Sequence, residues 1–73
     1  MKTYFLASST SEGPCMGDLV REGKADKYYT HDSYGEVDGW EWTNYSGEDI
    51  LVRFTRDGRT FVLKNGQCTA DIF

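Results

Sequence analysis

The chain has 73 residues, a mass of 8.3 kDa and a formal net charge of −4, so it is read as one small domain, residues 1–73, with a thin core and little room for an interior catalytic pocket. A pI near 4.7 argues against direct nucleic-acid binding, which needs a basic face, and no stretch approaches the ~20 apolar residues of a membrane span. Hydrophobic content is only 38%, but aromatics reach 15% and each ring buries a large area, so the composition is that of a folding chain and not of a disordered tail.

The opening KTYFLAS, residues 2–8, reads as a strand from its aromatic and β-branched content. Its apolar run is shorter than the roughly 7–15 residues of a signal peptide, so a cytoplasmic location is expected, in the host cell if the chain is phage-encoded. In that setting Cys15 and Cys68 are expected as free thiols. Residues 9–17 are loop material. Pro14 can open a helix over 14–22, capped by Gly13 or a nearby Ser. Met16, Leu19, Val20 and Gly23 share one helical face, while Gly17 and Gly23 oppose the helix. DKYYT at 26–30 is a further candidate strand. GWEWT at 39–43 alternates, with Trp40 and Trp42 on one face and Glu41 on the other. It is expected to run antiparallel to 50–56 after a turn in NYSGED.

The C-terminal third carries two turn signals. Asp57-Gly58 suits a type I′ hairpin turn, which sets Phe54 opposite Phe61 and Val52 opposite Leu63. Asn65-Gly66 repeats the device and sets Leu63 opposite Cys68. The expected fold is mainly β, or small α+β. It is an antiparallel sheet of 4–5 strands with a C-terminal three-stranded meander (49–56, 59–64, 67–72) and at most one short helix near 14–22. Core candidates are Phe5, Leu19, Trp40, Ile50, Val52, Phe54, Phe61, Leu63, Cys68 and Ile72.

Between Lys27 and Arg53 there is no Lys or Arg. Residues 28–52 hold six carboxylates and six of the eleven aromatics. Tyr and Trp bring area to an interface at little entropic cost, and carboxylates between them attract Lys and Arg. The partner-binding candidates are Tyr29, Asp32, Tyr34, Glu36, Asp38, Glu41, Tyr45 and Glu48. They point to a protein partner with a basic surface. The expected role is a non-enzymatic binding module, in its sharpest form an inhibitor of a nucleic-acid-handling protein. Size, acidity and missing chemistry are shared with phage-encoded inhibitors such as anti-CRISPR proteins, but no motif matches residue by residue.

Competing patterns are weaker. Asp32, Glu36, Asp38 and Glu41 lack the alternating spacing of a calcium loop, and Cys15, His31 and Cys68 are too sparse for zinc, so no metal and no cofactor is expected. Cys15, His31 and Asp32 supply the atom types of a thiol enzyme without any local signature, so no catalytic residue is assigned. Arg53, Arg56, Arg59 and Lys64 read as a solvated strand end. The alternative role is a small-ligand module in which Trp40, Trp42, Tyr45 and Glu41 hold a glycan or a methylated lysine. A structural subunit of a phage particle is the remaining alternative.

Overall fold

The computed structural model describes residues 1–72. In chain order it has β1 (Thr3–Phe5), α1 (Met16–Arg21), β2 (Ala25–His31), β3 (Val37–Asn44), β4 (Ile50–Arg53), β5 (Thr60–Leu63) and a closing 3-10 turn at Thr69–Asp71. The fold is mainly β with one short α-helix, as the periodicities indicate. The strands form two sheets, β1-β4-β5 and the hairpin β2-β3.

The arrangement corrects the single antiparallel sheet. β3 pairs with β2 and not with the 50–56 strand, and β4 lies between a parallel β1 and an antiparallel β5. Consecutive strands 25–31 and 37–44 are joined by a turn over 32–36 that the Asp32 carboxylate closes by accepting from Tyr34 N and Glu36 N, whereas the equally short 45–49 segment is held by Asn44 and Ser46 in a loop.

The C-terminal meander does not form. Asn65-Gly66 does make a turn, with Gln67 N donating to Lys64 O at 2.9 Å. The Gln67 side chain, however, takes the Lys64 N–H at 2.9 Å, where a ladder would need main chain. The following residues run along the free edge of β3 instead. Asn44 N donates to Gln67 O at 3.0 Å, and Trp42 N donates to Thr69 Oγ1 at 3.0 Å. Cys68 N donates to Asp71 Oδ2 at 3.2 Å, and the chain closes into the 3-10 turn. A turn dipeptide sets the bend but not the strand that receives the departing chain.

The β4–β5 register also moves. Ile50 faces Leu63 and Val52 faces Phe61. A type I′ turn needs positive φ at both central residues. Only Gly58 has it, at +72°, and the loop widens until Phe54 N meets Arg59 O at 2.9 Å. The shift is two residues, so no side chain changes face. Phe54 and Phe61 still meet edge to face, with centroids 5.7 Å apart.

The buried core is Cys15, Met16, Leu19, Ala25, Trp42, Ile50, Val52 and Leu63, with Phe61 and Ile72 packed against it. Phe5, Phe54 and Cys68 are only half-buried, and Trp40 is 54% exposed, so these four do not belong to the centre. The core lies under one end of the β2–β3 hairpin and the other end runs past it.

Two polar details hold the layers together. Gly17 N donates to Ala7 O at 3.0 Å, and a Cβ at Gly17 would fall 1.9 Å from Ser8 O. The helix approaches the chain after β1 that closely, which explains a glycine inside it. Cys15, and not Gly13 or Ser, is the N-cap, and its N–H donates to Asp18 Oδ2 at 2.9 Å. That bond holds the Asp18 carboxyl below its usual range. At the far side, buried Asn44 donates to Glu48 O at 2.8 Å and Leu63 O at 3.1 Å. It accepts from Ser46 N at 2.9 Å and Ser46 Oγ at 2.7 Å. One side chain thus joins β3, the 45–49 loop and β5. Among the described residues no helix is long and apolar enough to cross a membrane.

Candidate partner-binding arm and aromatic cage

Residues 31–38 are all exposed. They form the end of the β2–β3 hairpin, beyond the part that covers the core. Its turn is built by Asp32, whose Oδ1 accepts from Tyr34 N at 2.9 Å and Glu36 N at 3.0 Å. Gly35 supplies the positive φ of +82°. On the returning strand the pairing slips between Thr30 and His31, leaving Asp38 as the extra residue of a β-bulge. Bulges re-aim side chains. Asp38 Oδ1 here accepts from Thr30 Oγ1 at 2.6 Å.

The arm carries large rings and acids together. Tyr34 is 89% exposed, Val37 58% and Tyr29 56%. Asp32, Glu36 and Asp38 lie among them with no cation nearer in sequence than Lys27. Of the eight residues singled out in the sequence, the arm brings together Tyr29, Asp32, Tyr34, Glu36 and Asp38. Glu41 is separate, on the opposite face of β3, where it accepts from Cys68 Sγ at 3.5 Å. Tyr45 and Glu48 lie in the loop after β3, at the other end of the strand from the turn. The acid-aromatic block is therefore not one continuous strip.

The two faces of the hairpin differ. One presents Lys27, Tyr29, Trp40 and Trp42, which the register sets as the facing pairs Lys27–Trp42 and Tyr29–Trp40. Lys27 Nζ lies 5.3 Å from the Tyr29 ring centroid, 5.2 Å from Trp40 and 5.2 Å from Trp42. It also donates to Ser8 Oγ at 2.8 Å. Ring faces are the negative poles of their quadrupoles, so three of them around one ammonium form a cation cage. Trp42 is 1% exposed, and its buried Nε1–H has no acceptor among the described residues. The indole serves through its ring and not through its donor. Trp40 also lines a groove of about 610 Å³ between the arm and the β4–β5 loop, together with Leu6, Asp38, Gly39, Phe54, Thr55, Arg56 and Asp57.

The other face gathers Tyr28, Glu41, Thr43 and Cys68. The Tyr28 hydroxyl is 2.8 Å from Cys68 Sγ. This bond to the thiol, reinforced by desolvation and by Glu41, pushes the Tyr28 phenol up to about 12. Cys15 is buried, whereas His31 and Asp32 are exposed on the arm. No cluster of three potential metal ligands occurs among the described residues.

Sequence reasoning missed Lys27, Ser8 and Asn44. Lys27 was legible only as the boundary of the acidic block. Its position two residues before Tyr29 places it on the ring face once the 32–36 turn pairs the strands. Compared with protein-family models, with curated proteins and with solved structures, the chain finds no match in any of the three.

Proposed function

We propose that the chain is a non-enzymatic protein-binding module that presents its acidic, aromatic hairpin arm to a basic surface of a partner protein. The supporting observation is the arm itself: residues 31–38 are exposed without interruption, and Tyr29, Tyr34 and Val37 show more than half their surface to water. Exposed rings and an exposed valine on a two-stranded arm are costly in solution and gain most from burial against a partner. Asp32, Glu36 and Asp38 set the sign of that partner and steer its approach. In its sharpest form the module is an inhibitor whose carboxylates take the place of phosphates on a nucleic-acid-handling protein, with no direct contact to nucleic acid. Glu41, Tyr45 and Glu48 lie outside this contact.

The test is capture on immobilised protein, compared with a variant in which Glu36→Lys reverses one charge, Asp38→Asn removes another and Asp32 is left to hold the turn. A basic protein held by the native chain at low salt, released at high salt and absent from the variant supports the proposal. A partner retained equally by both, or binding that ignores salt, rejects it.

A further inference from the structure

We infer that the ring cage on the hairpin is a latched receptor for a methylated ammonium group, with Lys27 as its internal occupant. The cation is already in place: Lys27 Nζ sits 5.2–5.3 Å from three ring centroids. No carboxylate pairs with Lys27 among the described ion pairs, and its one side-chain hydrogen bond goes to the hydroxyl of Ser8. The rings, by contrast, do not depend on the lysine for their placement. Trp42 is buried in the core, and Tyr29 and Trp40 are fixed as a facing pair by the backbone register. Lys27 can therefore leave and the cage remain.

The preferred guest follows from hydration. A primary ammonium is strongly hydrated and gives up much of that on entering a ring cage. Trimethylammonium spreads its charge over methyl groups, has no hydrogens to leave unpaired, and fits ring faces by cation–π attraction and apolar contact together. The groove that Trp40 also lines offers room for the rest of the guest, with Leu6 and Phe54 apolar and with Asp38, Asp57 and Arg56 as its charged groups. A trimethyl-lysine side chain and a free choline-type amine share this chemistry. The cage shares Tyr29 with the acidic arm, but its attraction for a cation comes from ring faces and not from carboxylates, so loss of the arm's charge leaves it in place.

Lys27 competes with any guest as a tethered ligand. A latch that keeps the cage closed nine times in ten raises the apparent Kd about tenfold. The experiment titrates tetramethylammonium, choline and a trimethyl-lysine peptide into the native chain and into Lys27→Gln, following tryptophan fluorescence. The neutral tert-butyl analogue of choline is the control, and circular dichroism establishes that each variant is folded. Saturable binding of the cations, roughly tenfold tighter in Lys27→Gln and lost in the exposed-ring variant Trp40→Ala, supports the inference. Stronger binding of the peptide than of choline assigns the source to a protein, and the reverse order to a free amine. Equal binding of the neutral analogue, or no binding to folded Lys27→Gln at millimolar guest, overturns it.

Discussion

The two tryptophans share a face and differ in depth, and that difference has a measurable consequence. Trp42 is 1% exposed and Trp40 is 54% exposed. Trp42→Ala removes a fully buried ring and leaves a cavity among Met16, Leu19 and Ile50, at a cost of about 3–5 kcal/mol. A domain of this length has roughly 4–11 kcal/mol to lose. The variant is thus near its unfolding threshold, with a fall in Tm of about 12–40 °C. Trp40→Ala removes a ring already half in water together with its contact to Lys27, at a cost of roughly 1–2 kcal/mol. Urea unfolding followed by far-ultraviolet circular dichroism compares the two without relying on the deleted fluorophore. Trp42→Phe serves as a milder companion should Trp42→Ala not fold. Equal losses for Trp40→Ala and Trp42→Ala, or a larger loss for Trp40→Ala, would refute a hairpin that runs from the core into solvent.

Other outcomes follow from single contacts. Asn44→Ala removes the bonds to Leu63 O and Glu48 O, of which Glu48 O keeps Ser46 Oγ at 3.0 Å, and is expected to lower stability by about 1–3 kcal/mol in the same urea assay. Gly17→Ala is expected to destabilise by about 1–3 kcal/mol in spite of its better helix propensity, because the new methyl meets the Ser8 carbonyl; a stabilised variant contradicts the close approach. An ultraviolet titration should find one tyrosine ionising near pH 12, moving back toward 10 in Cys68→Ala. Since the folded pKa of Tyr28 lies above the ordinary phenol value of 10, the stability this bond contributes is complete below pH 10 and is lost as pH rises through about 12.

How far the fold could be read from the residues depended on whether a feature was local. Alternation in GWEWT and TFVL, and the spacing of Met16, Leu19 and Val20, are local, and each segment forms the element its period implies. Partner choice is not local. Asn65-Gly66 bends the chain as its type demands, yet the side chain of Gln67 occupies the Lys64 N–H and sends the next residues to β3. Asp57-Gly58 marks the right bend with the wrong length, because Asp57 keeps negative φ. The parallel pairing of β1 with β4 links residues almost fifty positions apart and has no signal in either segment.

The candidate site shows the same division. That Trp40 and Trp42 share a face is a matter of period; that the core ends between them is a matter of tertiary packing, which takes in Trp42 and leaves Trp40 outside. The acids between 32 and 38 share the arm because they are sequence neighbours on one turn. Glu41 departs from them through strand alternation, and Glu48 through the length of β3. Among the described ion pairs none involves Lys27, and its place on the ring face emerges only from the pairing of β2 with β3.

The most direct measurement is the salt dependence of partner binding by the native chain beside the variant carrying Glu36→Lys and Asp38→Asn. An arm that binds through its carboxylates loses affinity steadily as salt rises, while the variant binds weakly from the outset and responds little to salt. Two parallel curves of equal affinity would place the contact elsewhere on the molecule.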